Sequence, residues 1–574
     1  MVFGKLDINP AISPAVLDTA TWDVGAARRA IIEGQKDWSL AHDSAFSGTT
    51  PGIHEDRGPA VSSIVKRGAQ AYFLAELKDG QMVFIQTGNP DSESLLGEPF
   101  FKTSLEGGRM LASYPTDAGI IDRFCRLLKP KNAPRALGRV PRLGIGTRLT
   151  TRVWPGIFAA MDRAGFPANA IQNSVRELNL LEDLKSGREP VRNYASGFGM
   201  IESGYTGSTF EGLWVAGVLA ALRHGKPLVY GADADHIQVK RADTGLQNAA
   251  RVVEAARYYT FFTMDVADVL SFSSMGRRGE GELILGQTVT GEKERRDILL
   301  YHREPVQIGA RRYLLDSDIV GRCVGKYWRS LESVSALVQR ISALREGIPF
   351  DLEFSFDEHP PEIPGPSCIS EEEEVVFVAR ELARRGLPVT HIAPNFGVEK
   401  GFDYRLADGF PGLQARVESL YHIAEETGSL LDIHSADDLS RGARRAIRRA
   451  TKGKLHYKIS PHLHFIFAEA VRDYYPDIFL RWWTDAFDYA RVEAENGSPL
   501  AAQCLSEYAS LEKPSPSPSH EVFRQYFFAF PGRRDASGRF INREMFYTLA
   551  EGFYREYHTR VESHLCELAE DLFA

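Results

Sequence analysis

Cysteine, long apolar runs and net positive charge are all scarce in this 574-residue sequence. Five cysteines without a CxxC pair argue against a disulfide framework or a structural zinc module, and they are typical of a reducing cytoplasm. No run of about 18 apolar residues occurs, so no membrane-spanning helix is expected. The formal net charge of -8 argues against a nucleic-acid partner. The first residues lack the pattern of a signal peptide. We therefore expect a soluble cytoplasmic protein that binds neither nucleic acid nor membrane.

The chain is too long for one ordinary domain, and its composition is that of a globular protein, with 43% hydrophobic and 25% charged residues. Short strands without an evident chemical site occupy the first part. Short apolar strands alternating with amphipathic helices follow, and the end is aromatic and helical. We predict a mixed α+β extension over residues 1–135, a catalytic barrel over 136–470 and a helical region over 471–574.

The middle part contains eight candidate strands with helices between several of them, a pattern typical of a parallel sheet. The strands are Arg142–Leu149, Asn169–Asn173, Pro227–Asp235, Thr260–Val266, Phe350–Phe356, Val389–Asn395, Leu430–His434 and Lys454–Ile459. Eight strands with helical crossovers predict an α/β protein built on a TIM-like (β/α)8 barrel. An open doubly wound sheet is the alternative.

Several of these strands carry an apolar face and a strongly polar one. In the strand that begins at Phe350, Asp351 and Glu353 alternate with Leu352 and Phe354. In a barrel the apolar face meets the surrounding helices, so the polar face points inward. Buried acids, histidines and lysines are costly unless they pair or bind a metal, which predicts a site. The alternative is a half-exposed antiparallel sheet whose polar faces meet water.

Three histidines stand at or near strand ends: His236, His391 and His434. Imidazole is the commonest ligand of zinc and similar divalent metals, and three ligands leave positions open for substrate oxygens. We predict a catalytic metal held by these three residues. Nitrogen-rich ligation favours Zn, Mn, Ni or Fe over Mg or Ca, without naming one. Each histidine taken alone could instead be a hydrogen-bonded structural residue.

Acids and cations accompany the histidines. Asp235 beside His236, with Asp233 as a competing acid, and Glu353 on a polar face are candidate general acids or bases. Arg148 and Lys458, on inward faces, could clamp a substrate carboxylate or could neutralise neighbouring acids. Two further residues complete the predicted substrate-binding set: Asp265, on a polar face, and Asn395, which could also replace His391 as a ligand.

Four segments resemble the tagaturonate epimerase family: GADADHIQV (231–239), FDLEFSFDE (350–358), THIAPNFGVEKGFDY (390–404) and LLDIHSADD (430–438). The resemblance covers most of residues 140–470. It implies a barrel enzyme that uses a divalent metal to interconvert D-tagaturonate and D-fructuronate, with some relatives acting on tagatose and fructose. It also implies Asp235 as proton acceptor, Glu353 as proton donor, and His236, His391 and His434 as metal ligands.

The two ketoses differ at the carbon β to the ketone, whose C–H the carbonyl does not acidify. Retro-aldol cleavage, rotation of the aldehyde and re-addition is therefore the expected route, with direct proton transfer as its rival. Another metal-dependent barrel enzyme, an aldolase or sugar isomerase, is an alternative function. A non-catalytic carbohydrate-binding barrel is a second. The sequence leaves the oligomeric state open.

Overall fold

The structure is a computed structural model of the chain. It describes residues 2–3, 6–7, 24–48, 58–77, 80–89, 94–105, 107–188, 192–195, 199–358, 363, 368–398, 402–434, 438–459, 462–536 and 540–574. Strands and helices are numbered in chain order. None of the helices in this described part is both long and apolar enough to cross a bilayer.

The N-terminal region is built on an antiparallel sheet with strand order β3-β5-β6-β8-β7, in which β4 also pairs with β5. Its strands are β3 (Gly58–Pro59), β4 (Val65–Arg67), β5 (Gln70–Glu76), β6 (Met82–Gly88), β7 (Phe101–Ser104) and β8 (Met110–Pro115), and a short pair, β1 (Val2–Phe3) and β2 (Leu6–Asp7), precedes them. The helices are α1 (Val24–Glu33), α2 (Gln35–Ser47) and α3 (Ala118–Leu128). Because side chains alternate along β5, Phe73 packs against α1 and α2 while Tyr72 joins the main core. The predicted mixed α+β extension is confirmed.

Eight parallel strands close into a barrel in the order β9-β10-β15-β16-β19-β20-β21-β22 and back to β9. They are β9 (Arg142–Ile145), β10 (Ala168–Ser174), β15 (Tyr230–Gln238), β16 (Phe261–Asp265), β19 (Asp351–Ser355), β20 (His391–Ala393), β21 (Leu430–Ile433) and β22 (His456–Ile459). Each falls on one of the eight candidate strands. The closed (β/α)8 barrel is confirmed, and the open sheet is wrong.

Helices surround the barrel and cover its apolar outer face. They are α4 (Trp154–Ala164), α5 (Leu181–Ser186), α6 (Phe210–His224), α7 (Gly245–Ala255), α8 (Gly281–Thr288), α9 (Glu292–Arg303), α10 (Ser317–Arg345), α11 (Glu372–Arg384), α12 (Gly409–Glu426), α13 (Arg441–Thr451) and α14 (His462–Tyr474). Three two-stranded sheets lie in the loops between barrel strands. They are β11 (Leu178–Asn179) with β14 (Ser208–Thr209), β12 (Arg192–Ala195) with β13 (Gly199–Glu202), and β17 (Val306–Ile308) with β18 (Arg311–Tyr313).

The C-terminal helices pack on one side of the barrel. They are α15 (Pro476–Glu495), α16 (Pro499–Ala509), α17 (Glu521–Tyr526), α18 (Met545–Thr548) and α19 (Glu551–Phe573). One hydrophobic cluster runs from Phe84 in the N-terminal sheet through the barrel to Leu572 in α19. The predicted boundary at residue 470 falls inside α14, so the division of the chain at that point stays a prediction.

Candidate active site

The lower interior of the barrel, toward the N-terminal ends of the strands, is a closed polar network. Asp351 accepts hydrogen bonds from Arg142 Nη2 at 3.1 Å and from the backbone N–H groups of Leu137 and Gly138. Arg142 Nη2 also lies 2.8 Å from Nε2 of His391, whose Nδ1 lies 2.8 Å from the hydroxyl of Thr390. Since a guanidinium only donates, Nε2 accepts and Nδ1 carries the proton.

His391 is therefore occupied on both ring nitrogens. Its ring packs edge-on against Phe261 and His456, 4.8 Å and 5.3 Å between centroids. Burial, helped by Arg142, holds the pKa of His391 well below its usual range, so the imidazole is neutral. The structure does not bring His391 together with the other two predicted metal ligands. Its strand begins at residue 391, so the side chain lies at the bottom of the barrel instead of the mouth.

Lys458 occupies the centre of the interior. Its Nζ lies 2.7 Å from Glu353 Oε2, 3.0 Å from Asp233 Oδ2 and 3.1 Å from Asp235 Oδ1. Burial opposes the charge, but Asp233, Glu353 and Asp235 outweigh it and hold the pKa of Lys458 well above its usual range. The sequence left two roles open for Lys458: binding a substrate carboxylate or neutralising neighbouring acids. These contacts favour the second role.

Two groups of potential metal donors lie above Lys458, near the C-terminal strand ends. One consists of Glu353, Asp432 and His434, and the other of His236, Asp265 and Glu358; within each group the donor atoms lie within 4.8 Å of one another. The imidazole rings of His236 and His434 stand 4.9 Å apart. The structure thus brings together two of the three predicted histidines and surrounds them with carboxylates.

A local irregularity in β15 makes this arrangement possible. Asp235 and His236 are neighbours, and in a regular strand their side chains would point to opposite faces. The register against β16 shifts between Ala234 and Ile237, and His236 has a left-handed φ of 49°. This bulge turns both side chains toward the barrel mouth, where Asp235 and His236 are each almost fully buried.

The electrostatics separate two neighbouring acids on β15. Burial, together with the charges of Asp235 and Glu353, raises the pKa of Asp233 well above its usual range despite the nearby Lys458. Burial also opposes the charge of Asp235, but Lys458 and the histidines His236 and His434 outweigh it and hold the pKa of Asp235 well below its usual range. Of the two acids, Asp235 is therefore the one more readily ionised, and this is compatible with its predicted role as proton acceptor.

The residues of the first donor group fit a divalent cation. Although Glu353 Oε1 lies 2.6 Å from His434 Nε2, neither atom has a hydrogen-bond partner within the described chain, and the same holds for Asp432 Oδ1. Burial opposes protonation of His434, but Asp357 and Glu353 outweigh it and raise its pKa well above its usual range, which reflects an excess of negative charge. Imidazole nitrogens with carboxylate oxygens suit Zn, Mn, Fe or Ni.

The remaining predicted site residues lie at the same mouth. Asp265 accepts from Gln238 Nε2 at 3.1 Å and lies 3.3 Å from His236 Nδ1, which places it in a donor group. Asn395 donates to the backbone carbonyl of Asp357 at 2.8 Å and accepts from Gly397 N. Its side chain thus holds together the loops after β19 and β20. Arg148 Nη1 forms a 3.0 Å ion pair with Glu177, above the end of β9.

Sequence reasoning missed Glu358, Arg176 and Glu177 as parts of the mouth. All three follow directly on barrel strands, where alternation no longer assigns a face. The available signal was position alone, because charged residues just after the C-terminal ends of barrel strands line the mouth. Runs such as FDE after β19 and RE after β10 meet that criterion.

Solved structures of this fold come from the fructuronate-tagaturonate epimerase UxaE of Cohnella laeviribosi. The form with one bound glycerol has a TM-score of 0.65 at 18% identity, and the native form has 0.64 at 19% identity. Both comparisons cover 94% of this chain and 99% of that protein. Similarity at this identity shows a shared fold. No curated protein matches this chain in a sequence comparison.

A protein-family model also matches residues 199–473. This segment includes the barrel strands from β15 to β22 and with them Asp235, His236, Glu353 and His434. The match over these residues indicates a carbohydrate epimerase, an enzyme of the isomerase class. The matching model describes the tagaturonate epimerase UxaE, and the resemblance read from the sequence is confirmed over those residues.

Proposed function

We propose that this chain is a divalent-metal-dependent epimerase that interconverts D-tagaturonate and D-fructuronate in the cytoplasm. The observation that carries the proposal is the meeting of His236, His434 and their carboxylates beside the ionised Asp235 at the barrel mouth. The family match supports the substrate. Tagatose and fructose, which carry a hydroxymethyl group where the hexuronates carry the carboxylate, are the neutral substrates to compare.

The two donor groups would hold the cation, with His236 and His434 as the nitrogen ligands. When bound, the cation would supply Lewis-acid polarisation of the sugar's ketone and the adjacent hydroxyl. The fit rests on buried donor atoms without hydrogen bonds and on the surplus of carboxylates around His434. His391 has no part in this set because both of its ring nitrogens bond within the protein.

In the proposed mechanism, Asp235 begins a retro-aldol step. As a carboxylate it would accept the proton of the hydroxyl on the carbon that inverts. The bond from that carbon to the carbon α to the ketone then breaks, leaving an aldehyde and an enediolate. After the aldehyde turns its other face, the same bond re-forms and Asp235 returns the proton to the new hydroxyl. No C–H bond of the inverting carbon breaks on this route.

Glu353 stands opposite Asp235 across Lys458. Its Oε2 lies 2.7 Å from Lys458 Nζ and 3.2 Å from the Thr263 hydroxyl, while Oε1 faces His434. From this position Glu353 would hold a proton for the ketone oxygen as negative charge develops there. Lys458, in contact with both Asp235 and Glu353, would keep the two side chains close together.

An aldolase that works through a lysine Schiff base is disfavoured by the same contacts. Such an enzyme needs a neutral amine as its nucleophile. The ammonium of Lys458 is surrounded by carboxylates that raise its pKa well above the usual range. A metal-dependent aldolase shares the donor set, and it differs from an epimerase by releasing both fragments.

The test combines metal analysis with assays of four sugars: tagaturonate, fructuronate, tagatose and fructose. We expect the purified protein to carry a divalent metal, to interconvert the two hexuronates, and to lose that activity on chelation. His236→Ala and His434→Ala should lower the metal bound per chain, whereas the matched variant His391→Gln should leave it unchanged. Stable release of two fragments, or activity unaffected by complete metal removal, would contradict the proposal.

A further inference from the structure

Cationic side chains are concentrated on one side of the barrel mouth. Arg148 follows β9, and Arg176 follows the adjacent strand β10. Both side chains are buried, with 3% and 6% of their surfaces exposed. The two donor groups lie on the other strands, β15, β16, β19 and β21, and in the loop after β19. The mouth is thus divided into a cationic part and a part rich in metal donors.

Glu177 holds the cationic part of the mouth, Arg148 and Arg176, in position. Its carboxylate accepts from the backbone N–H and hydroxyl of Ser174 at 2.9 and 2.6 Å, from Tyr205 at 3.4 Å and from Arg148 at 3.0 Å. Burial opposes its charge, but Arg148 and Arg176 outweigh it and lower the pKa of Glu177. The carboxylate therefore pairs directly with the guanidinium of Arg148 and is linked to Arg176 through Ser174, whose hydroxyl accepts from Arg176 Nε at 3.3 Å.

The chain at the end of β9 is shaped to direct Arg148 into the mouth. Arg148 adopts a left-handed φ of 61°, which costs energy for a residue with a side chain. A Cβ at Gly146 would lie 2.2 Å from Nε and Nη2 of Arg148, so only glycine leaves room for this guanidinium. Nη2 also donates to the backbone carbonyl of Ile459 at 3.3 Å. The guanidinium is thus held over the end of its own strand.

Asp235 lies between the two parts, because its backbone is in register with Ser174 at the end of β10 and its Oδ1 lies 3.9 Å from His236 Nε2. Arg148, Lys458 and both histidines act electrostatically on it, and Arg176 interacts with Glu358, Glu177 and Asp235. A keto-hexuronate has matching polarity, because its ketone and carboxylate lie at opposite ends and the inverting carbon lies between them. With the ketone among the donor groups and the carboxylate at the arginines, the hydroxyl to be deprotonated faces Asp235.

We propose that Arg148 and Arg176, anchored by Glu177, form a carboxylate-binding subsite that selects hexuronates over neutral ketohexoses and retains the aldehyde fragment. The inference rests on the proposed epimerase function. Retro-aldol cleavage leaves the carboxylate on the three-carbon aldehyde, so this anchor holds the fragment while it turns about the bond next to the aldehyde carbon. Both arginines lie outside residues 199–473, the segment that the family match covers.

The decisive variant is Arg176→Met, and Arg188→Met, an exposed arginine paired with Asp183, is its control. A charge-assisted hydrogen bond is worth about 1.5–3 kcal/mol, or about 10- to 150-fold. We expect kcat/KM for tagaturonate to fall by that factor while kcat/KM for tagatose changes less than about twofold. An aldehyde-trapping reagent should capture the released fragment in the variant only. Arg176→Lys should recover part of the loss.

Binding measurements with glycerate and glycerol test the carboxylate-binding subsite independently of the proposed epimerase activity. The two molecules differ by a carboxylate, and their titration needs no catalysis. The wild type should bind glycerate more tightly than glycerol, and Arg176→Met should abolish the difference; the double variant R176M/E177Q serves if the single variant does not fold. Equal binding of both by the wild type, or unchanged hexuronate preference in the variant, overturns the subsite. A wild type that binds glycerate selectively but epimerises no hexuronate overturns only the proposed function.

Discussion

At the scale of single residues, the site depends on two side chains that a regular strand would separate. The bulge at His236 places Asp235 and His236 on the same side, one as a carboxylate against Lys458 and the other in a donor group with Asp265. Asp233, only two residues earlier, is deeper, and burial raises its pKa. Depth in the barrel and the surrounding charges therefore distinguish Asp235, the proposed proton acceptor, from Asp233.

Asp235→Asn tests that selection. The amide preserves shape but cannot accept the hydroxyl proton, and a positioned general base contributes about 10²- to 10⁴-fold. We expect kcat to fall within this range while the bound metal per chain is retained. Asp243→Asn, at an exposed position after the same strand, should behave as wild type. An Asp235→Asn enzyme within about tenfold of wild-type kcat would show that another group accepts the proton.

The same residues show how far a sequence can predict a site. Alternation along the strands was sufficient to place Glu353 and Asp265 in the interior, because both lie in regular strand. It could not distinguish the bottom from the mouth of a barrel, so His391 was grouped with His236 and His434. Nor could it reach Glu358 and Arg176, since the direction of a loop side chain depends on contacts from distant parts of the chain.

At the scale of elements, all eight barrel strands were predicted and their ends were not. The candidate strand from Arg142 was expected to run to Leu149, but β9 ends at Ile145. Beyond it, the backbone turns so that the N–H of Arg148 meets the side chain of Asn173, 25 residues away. Helix α10 begins at Ser317, where Asp316 caps it by accepting from Ile319 N.

Helix α19 is held against the barrel by one buried carboxylate. Asp571, 1% exposed, lies 2.7 Å from Arg444, 3.1 Å from Arg441 and 3.3 Å from Arg445, all in α13. We expect Asp571→Asn to lower the free energy of unfolding by about 1–3 kcal/mol, because it weakens the charge-assisted hydrogen bonds to Arg444, the buried one of the three arginines. Urea unfolding measures this. Glu567→Gln, at a half-exposed neighbour of Arg444, should cost less than about 1 kcal/mol.

At the scale of the whole molecule, the three parts of the chain share one core. The hydrophobic cluster that contains the barrel strands also contains Tyr114 from the N-terminal sheet and Trp482 and Leu568 from the C-terminal helices. A smaller cluster around Phe73 is separate, but the large cluster common to all three parts couples their unfolding. The loss of stability caused by Asp571→Asn should therefore also appear in the unfolding of the barrel, and fluorescence and far-UV circular dichroism should report one common transition.

Stability should also fall in acid, through a buried network between α9 and α11. Glu381 lies 3.1 Å from His302 Nε2, 2.5 Å from Arg384 and 3.0 Å from Arg385. Burial opposes its charge, but its hydrogen bonds with Arg384 and His302 lower the pKa of Glu381 to about 2. Burial likewise lowers the pKa of His302, so this imidazole is neutral in the folded protein at a pH where the unfolded chain binds a proton.

Both groups bind protons more readily in the unfolded chain, so each makes stability rise with pH. The contribution of His302 is lost as pH falls below about 6.5, and that of Glu381 is lost between about 4.5 and 2. A pKa lowered from 4.5 to about 2 means that Glu381 contributes about 3 kcal/mol to the free energy of unfolding at neutral pH.

Glu381→Gln should therefore destabilise the protein at pH 7 and flatten the curve of unfolding free energy between pH 5 and pH 3. Glu332→Gln, an exposed partner of Arg385, should leave the slope unchanged, and an equal slope in both variants would show that the acid sensitivity arises elsewhere.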